Sequence, residues 1–431
     1  MRTTGQELEK MQFDTLGMAM VIGVALVVGL AWTSAVSHAD EDIKRFEQDR
    51  FAIGFWVDPP LDERAEERYK EIADAYFTLV IGGFGAPTIE AAKRQLDLCE
   101  QFDLDVIIQV RDAESAHQLP EGPALWGYGL RDEPSADEFP EMRRLVDEVR
   151  KARPGRLGYI NLFPSYASPW GQLGTETYDE YVSRFVNEVD PDVLCMDHYP
   201  IFKPDADGRD AYCDDLEVMR RYSLEKDIPF WNFFNAMPYG PHTNPTESQM
   251  RWQIFASLTY GAKGVLYFCY YTPAGAEFPK GGALIGRDDR RTDDWYAARR
   301  LNEQLRNLGP TFMELTSTGV YRVTPDDDPA EVLAGTAIRS LDRDDVDPPH
   351  DYLIGEFKHS DGRRAVMLMN YRFAYSAWPT IEFDVPVEQV RQVDPWSGNE
   401  IPVHDASPDM EGLQISLRDG EGKLYLLPAA E

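Results

Sequence analysis

Between residues 51 and 309, short apolar runs alternate with longer amphipathic stretches, and this alternation limits the possible folds more than any other feature of the chain. The runs are rich in β-branched and aromatic residues, whereas the stretches between them carry apolar residues three or four positions apart, as helices do. The apolar runs are 51–57, 77–84, 104–110, 125–130, 156–163, 193–199, 228–234 and 264–271. Eight strands that are each followed by a helix predict a (β/α)8 barrel.

The predicted barrel covers residues 47–309, which is close to the roughly 250 residues typical of this fold. An open doubly wound sheet is the alternative, but the first run is followed by WVDPPLDE and not by a glycine-rich phosphate loop. After Pro310, short strand-like runs such as LAGTAI (residues 333–338) alternate with turn sequences such as SDG and PWSGN, and the helical pattern ends. We therefore expect an antiparallel β-sandwich over residues 310–431.

The first 39 residues predict an export segment. Residues 16–36 carry no charge and are followed by Ser37-His38-Ala39, a small-residue site of the kind that signal peptidase cleaves. The same stretch is long enough to remain in the membrane as an anchor, because roughly 20 apolar residues span a bilayer. We favour cleavage, and in both cases we expect a periplasmic, secreted or membrane-anchored protein that faces outside.

Composition limits the partners of the protein. Its 75 acidic and 43 basic residues give a net charge of −32, which opposes binding to nucleic acid or to anionic lipid. Contact with a membrane is expected only through an uncleaved N-terminal segment. The four cysteines form no CxxC pair and have no histidines at ligand spacing, so we expect no metal, no cofactor and no disulfide scaffold. Cys195 and Cys269 lie in apolar runs and are expected to be buried thiols.

The active site of a barrel lies at the C-terminal ends of its strands. The residues there are rich in carboxylates, amides and aromatic rings, a lining that suits sugars, whose hydroxyl groups need polar partners and whose C–H faces stack on rings. The candidate substrate-binding residues are Trp56, Asp58, Arg131, Asn161, His198, Tyr199, Trp231, Asn232, Asn235, Tyr270 and Tyr271. Met196 and Phe233 are expected to point away from the site and to pack.

The segment GYGLRDEPSADE leads from the fourth strand directly into a helix. Ser135 and Glu138 have the spacing of a capping box, which predicts a short connection that holds Glu133 at the mouth of the barrel. Burial and a neighbouring acid raise the pKa of such a carboxyl group, as a general acid requires. The alternative is that Asp132 and Glu133 only cap the helix or pair with Arg131.

Three segments resemble clan A glycoside hydrolases. GYGLRDEP is similar to the Asn-Glu-Pro segment that ends their fourth strand, and MDHYP is similar to a His-x-Tyr segment late in such barrels. SQMRWQIFASLTYGAKGVLYFCYYTP resembles the seventh helix and eighth strand of β-galactosidase-like barrels of family 42, which commonly carry a terminal β domain. The resemblance implies a glycoside hydrolase in which Glu133 is the acid/base.

One departure concerns the second catalytic carboxylate. The resemblance implies a nucleophilic glutamate at the end of the seventh strand, where this chain reads IPFWNFFNAM. We favour Asp197 in its place, as a nucleophile about 5–5.5 Å from Glu133 or as a base about 6.5–9.5 Å away. Asp132 could instead orient a substituent of the sugar in substrate-assisted hydrolysis. Asp58, Asp112 and Glu277 are the remaining candidates.

The sequence thus predicts an exported glycoside hydrolase that cleaves a poly- or oligosaccharide with Glu133 as general acid/base. The alternative is a carbohydrate-binding barrel that has lost its nucleophile and does not catalyse.

Overall fold

The computed structural model of the chain describes residues 43–110, 112–203, 206–275, 278–342 and 351–430. The predicted export segment over residues 1–39 lies outside these ranges, as do Arg111 and Glu277. Within the described ranges, no helix has both the length and the apolar character that crossing a membrane requires.

The eight predicted strands of the barrel are present. They are β1 (Ala52–Phe55), β2 (Leu79–Gly82), β3 (Asp105–Gln109), β4 (Leu125–Asp132), β5 (Leu157–Asn161), β6 (Leu194–Asp197), β7 (Phe230–Asn235) and β8 (Gly264–Phe268). The helices are α1 (Ala65–Asp74), α2 (Ile89–Gln101), α3 (Ala113–His117), α4 (Phe139–Ala152), α5 (Tyr178–Glu188), α6 (Arg209–Lys226), α7 (Glu247–Thr259) and α8 (Asp293–Met313).

The eight strands form one parallel sheet in the order β5-β4-β3-β2-β1-β8-β7-β6. The ring closes between β5 and β6, where Leu162 bridges Met196 in parallel and its N–H donates to the carbonyl of Cys195 at 2.9 Å. The predicted (β/α)8 barrel is confirmed, and the doubly wound sheet is excluded.

Side-chain caps fix the starts of several helices. The Thr88, Thr177 and Thr246 hydroxyl groups accept backbone N–H groups at the first turns of α2, α5 and α7. The predicted capping box at Ser135 and Glu138 is present, on a 3-10 turn that leads into α4. It makes the connection after β4 short and ordered, as the sequence predicts.

The interior of the barrel is filled by side chains. Trp231 packs against Trp126 and Tyr159, with ring centroids 6.0 and 6.1 Å apart. Phe46, which precedes β1, covers Trp126 from below at 5.5 Å, and Gln48 accepts the indole N–H of Trp231 at 2.9 Å. The end of the barrel at which the strands begin is therefore closed. Cys195 and Cys269 are buried thiols, as predicted.

The C-terminal part is an antiparallel β-sandwich, as predicted. Its elements are β9 (Leu315–Val323), α9 (Pro329–Val332), β10 (Ile338–Asp342), β11 (Tyr352–His359), β12 (Arg364–Asn370), β13 (Thr380–Phe383), β14 (Arg391–Val393), β15 (Glu400–Pro402), β16 (Leu413–Gln414) and β17 (Gly422–Leu427). One sheet has the order β10-β13-β16 and the other has the order β15-β14-β17-β12-β11-β9. Apolar side chains from both sheets, such as Ile354, Leu368 and Phe383, form the core between them.

Two details differ from the sequence prediction. Helix α8 continues through Pro310 to Met313, beyond the predicted boundary at residue 309, because Leu308 and Phe312 are buried in the core on either side of the proline. The residues 333–337, expected to begin a strand, form a turn after α9, which Asp328 caps by accepting the N–H of Ala330.

The six-stranded sheet shares a core with the barrel. Trp252 on α7 is fully buried, and its ring lies 5.3 Å from Tyr371 and 6.3 Å from Phe373 in the C-terminal domain. On its other side Trp252 lies 5.6 Å from Tyr212 of α6. The apolar cluster around these rings continues from the barrel helices into the sheet. The two domains are therefore expected to unfold together.

Candidate active site

A cavity of about 830 Å³ lies at the C-terminal ends of the barrel strands. The predicted site residues that line it are Trp56, Asp58, Asp132, Glu133, Asn161, Asp197, Tyr199 and Tyr271. The structure thus brings the predicted acids together at the mouth, in the place where barrel enzymes carry out their chemistry.

Two backbone irregularities turn both Asp132 and Glu133 toward the cavity. Successive strand residues normally face opposite sides of a sheet. The pairing of β4 with β5 shifts between Gly129 and Arg131, and a bulge of this kind changes which residues face inward. Glu133 then has a positive φ of 47°, held by a hydrogen bond from its N–H to the carbonyl of Asn161 at 2.9 Å. Two adjacent acids therefore face the same space.

Asn161 links the carboxylates of β4 and β6. Its side-chain amide nitrogen donates to Asp132 Oδ1 at 3.2 Å and to Asp197 Oδ1 at 3.3 Å. Asp197 is buried and faces the hydroxyl group of Tyr199, whereas Asp132 is exposed to the cavity. The position of Asp197 is thus fixed from two sides.

The side chains of Glu133 and Asp197 are close enough to form a hydrogen bond with each other. The separation of the two carboxyl groups, and with it the choice between nucleophile and base for Asp197, stays a prediction. The two carboxyl groups meet because closure of the barrel between β5 and β6 brings the ends of β4 and β6 to the same side of the mouth. Such a contact requires a proton between the two groups.

Burial is the main cause of the unusual proton affinity of this pair. It raises the pKa of Glu133 to about 7, and the neighbouring charge of Asp132 raises it further in the same direction. The pKa of Asp197 lies well above its usual range because the group is buried and faces Glu133. A carboxyl group that keeps its proton near neutral pH is what a general acid needs.

Asp58 lines the cavity and also holds a loop, so its role in substrate binding stays a prediction. Its Oδ1 accepts the N–H groups of Phe84 and Gly85, both at 2.9 Å, and its Oδ2 accepts the side-chain amide of Gln95 at 2.6 Å. Burial raises the pKa of Asp58, and these donors act against that shift. Asp58 therefore fixes the loop after β2, which carries the ring of Phe84 into the cavity wall.

We expect Asp58→Asn to weaken this loop. An amide in place of the carboxylate turns one acceptor into a donor that faces N–H groups, and a buried unsatisfied group costs about 1–3 kcal/mol. Urea denaturation should show that loss, and KM for a substrate should rise more than kcat falls because Phe84 loses its support. Asp97→Asn, an exposed change on α2, is the matched control. Equal stabilities of the two variants would contradict this role.

Aromatic rings form the walls of the cavity. Trp56 meets Phe84 edge-on at 5.2 Å and Phe233 at 5.9 Å, and Tyr239 and Phe268 lie 5.1 Å apart. Phe233 was expected to pack elsewhere, but its place on the interior face of β7 turns it into the cavity. Tyr239 and Phe278 also line the cavity, and they lie on the loops after β7 and β8. The sequence analysis missed them because it considered only residues directly after each strand.

Other predicted site residues are buried away from the cavity. Trp231 lies deeper in the barrel, among the rings that close its lower end. Tyr270 packs against Phe55 and Phe77 on the outer side of the strands, between the sheet and the helices. Asn232 faces the helices, where its amide nitrogen donates to Ser257 Oγ at 3.1 Å. Asn235 is fully buried, and its N–H donates to Gln253. These predictions were wrong because residues near a strand end differ in depth and face.

His198 and Arg131 also do not line the cavity. A hydrogen bond of 2.6 Å joins His198 Nδ1 to Asp215 Oδ2, and the imidazole ring is buried beside Tyr166. Arg131 is exposed, and its guanidinium donates to Glu138 Oε1 at 2.6 Å on the helix side of the bulge. The predicted ion pair of Arg131 thus forms with Glu138 and not with Asp132 or Glu133.

The remaining candidates for a second carboxylate have other places. Asp112 caps α3 by accepting the N–H of Ser115 at 2.8 Å, and Glu277 lies outside the described residues. In the part of the chain that the structure describes, no group of three histidine, cysteine, aspartate or glutamate side chains could hold a metal ion.

No protein-family model matches the sequence, and no curated protein matches it. Solved structures do share its fold. A GH42 β-galactosidase from G. stearothermophilus has a TM-score of 0.57 at 9% identity, over 90% of this chain and 100% of that chain. The chain shares the fold of this structure, a parallel eight-stranded barrel with a C-terminal β domain.

Two further structures extend this comparison. A β-galactosidase from Bacillus circulans sp. alkalophilus has a TM-score of 0.56 at 9% identity, over 88% of this chain and 99% of that chain. A family 39 glycoside hydrolase from the gut symbiont Bacteroides cellulosilyticus WH2 has a TM-score of 0.50 at 14% identity, over 87% and 80% of the respective chains. The likeness includes the C-terminal β domain, since the aligned part spans most of each chain.

Proposed function

We propose that this protein is a glycoside hydrolase that cleaves glycosidic bonds of a poly- or oligosaccharide, with Glu133 as its general acid/base. The observation that carries the proposal is the geometry around Glu133. Its carboxyl group sits in a ring-lined cavity, beside Asp132 and in contact with Asp197, and its pKa is raised to about 7. The group therefore holds a proton to deliver to a departing oxygen.

Asp197 is the partner carboxylate in this proposal. Asn161 and Tyr199 hold the side chain of Asp197 in place. Asp197 in turn positions the carboxyl group of Glu133, and the two groups share a proton. Asp132 adds a negative charge at the cavity wall, which favours the protonated form of Glu133. After the leaving group has departed, ionised Glu133 can take a proton from an attacking water.

The rings suit a carbohydrate. Trp56, Phe84 and Tyr271 give the cavity apolar faces of the kind on which the C–H face of a sugar stacks, and Asp132 and Asn161 supply acceptors and donors for hydroxyl groups. The relatives in fold support the same class of reaction, because their names describe them as β-galactosidases and as a glycoside hydrolase.

The direct test is hydrolysis. Purified protein is incubated with aryl glycosides and with polysaccharides, and released phenol or new reducing ends are measured. Turnover that depends on Glu133 supports a hydrolase. Sugar binding in calorimetry without any turnover, in the wild type as well as in variants, would instead support the non-catalytic binding barrel.

We also propose that the chain is exported through its first 39 residues. Expression of the full chain in a bacterium, followed by fractionation and N-terminal sequencing, tests this proposal. Protein that starts near residue 40 in the periplasm or medium is the expected result. Uncleaved protein in the membrane fraction would indicate an anchor, and uncleaved protein in the cytoplasm would contradict export.

The dependence of activity on pH should follow the proton of Glu133. Because its pKa is raised to about 7, the group is protonated below that pH and loses its proton above it. We expect kcat/KM to fall above about pH 7 by about tenfold per pH unit. The variant Asp132→Asn removes the neighbouring charge that raises this pKa, so the alkaline limb should move to lower pH. An unmoved limb would mean that another group titrates.

A further inference from the structure

The connection from β5 to α5 carries two exposed aromatic side chains that do not line the cavity. Trp170 has an exposed fraction of 75%, the largest of any large apolar side chain in the described ranges, and Tyr166 has one of 51%. Single exposed rings are common on protein surfaces. The order of this loop and its place on the barrel therefore decide what these rings can do.

Hydrogen bonds fix the turn that carries Trp170. The side-chain oxygen of Gln172 accepts the N–H of Ser168 at 3.0 Å and its hydroxyl group at 3.2 Å. The N–H groups of Gln172 and Leu173 donate to the carbonyl of Ser168 at 2.9 and 3.1 Å, and the side chain of Leu173 is buried. The turn is thus anchored beneath an indole ring that faces solvent. A ligand that stacks on this ring has little backbone to order.

The loop lies along the rim of the cavity. At its far end, a Cβ added to Gly174 would lie 2.6 Å from Ser135 Oγ, so this glycine packs directly on the connection after β4. Ser135 is two residues from Glu133 in that connection. At the near end, the ring of Tyr166 lies 5.0 Å from the ring of His198, the first residue after β6. The loop therefore follows the mouth from the end of β6 to the connection that carries the proposed acid.

A long substrate has to cross this rim. Trp126 and Trp231 close the base of the barrel, so any part of a saccharide that the cavity does not hold extends through the mouth. A general acid contacts the leaving oxygen, so the leaving part of the substrate lies on the same side of the cleaved bond as Glu133. Because β5 is the neighbour of β4 in the sheet, the loop after β5 borders that side.

We infer that Trp170 is a specificity-determining residue whose indole stacks on a sugar of the leaving group, so that the preferred substrate is a saccharide chain that continues beyond the cleaved bond. This inference rests on the proposed hydrolase function and names its substrate class. The C–H face of a sugar is flat and apolar, as the exposed ring requires. The net charge of −32 favours a neutral chain over a polyanionic one.

Two substrates with the same cleaved sugar and different leaving groups test the inference. One is the glycosyl fluoride, which has no leaving-group sugar, and the other is an oligosaccharide of four to six units. We expect Trp170→Ala to lower kcat/KM for the oligosaccharide by roughly tenfold, the scale of one stacked ring, and to affect the fluoride much less. Trp170→Phe, which keeps a flat ring, should retain most of the activity on the oligosaccharide.

Trp396→Ala, an exposed change in the sandwich, is the matched control and should behave as the wild type on both substrates. Thermal unfolding should be the same for all variants, because both side chains are exposed. Equal losses on the two substrates, or no loss on either, would overturn the role of Trp170 and leave the hydrolase proposal standing. No loss on either would instead fit a ring that contacts a protein partner. Turnover of no saccharide and no fluoride by the wild type would overturn both proposals.

Binding separates stacking from turnover. In the Glu133→Gln background, which leaves the oligosaccharide intact, Trp170→Ala should raise the calorimetric Kd of the same oligosaccharide by roughly tenfold. Trp170→Phe in that background should raise it much less. Equal Kd values with tryptophan, phenylalanine and alanine at this position would contradict a stacked sugar.

Discussion

Glu133→Gln should lower kcat for substrates with poor leaving groups by about 10²–10⁴-fold, the usual contribution of a general acid. The change keeps the shape of the side chain and removes the proton that the leaving oxygen needs. Binding of the sugar should change little, because the stacking rings and Asn161 stay in place. Initial rates against substrate concentration, together with calorimetric binding of the intact substrate, separate the two effects.

The leaving group provides an internal control for this result. A strongly acidic phenol leaves as its anion and needs little protonation. With an aryl glycoside of such a phenol, Glu133→Gln should therefore slow cleavage of the glycosidic bond much less. Glu141→Gln, on the exposed side of α4, should behave as the wild type. If Glu133→Gln and Glu141→Gln had equal activity on every substrate, Glu133 would not be the acid.

Trp252→Ala should lower the free energy of unfolding by about 3–5 kcal/mol, as expected for removal of a large buried ring. The indole lies between Tyr212 of the barrel and Tyr371 of the C-terminal domain, so its loss leaves a cavity in the core that the two domains share. Urea denaturation followed by circular dichroism measures the change. A single transition should remain, because the other apolar contacts across the interface persist.

Trp396→Ala is the matched control for this change. Trp396 has an exposed fraction of 53%, and replacing it should alter stability by no more than about 0.5 kcal/mol. Two separate transitions in wild-type protein, one for the barrel and one for the sandwich, would contradict the shared core. So would a loss of less than about 1 kcal/mol in the Trp252 variant.

The fold could be predicted from the sequence because strand and helix periodicities are local. Each apolar run in the barrel region became a parallel strand, and the turn-rich C-terminal part became two antiparallel sheets. Pro310 marked the domain boundary too early, since tertiary packing of Phe312 carries α8 past it. Local signals give the existence of an element more reliably than its end.

The site could be predicted only in part. The rule that barrel sites lie at the C-terminal ends of strands located Glu133, Asp197 and Asn161. It did not separate residues that face the cavity from deeper ones, such as Trp231, or from helix-facing ones, such as Asn232. The contact between Glu133 and Asp197 depends on the bulge in β4 and on the closure of the ring, and neither has a signature in a single sequence.

The packed lower end of the barrel has a consequence for how a ligand reaches the cavity. The lower end of the barrel, beneath the cavity, is closed by Phe46, Trp126 and Trp231. In the described part of the chain, substrate and product therefore both use the mouth of the barrel. A polymer cannot thread through the barrel. Product inhibition should accordingly be competitive with substrate.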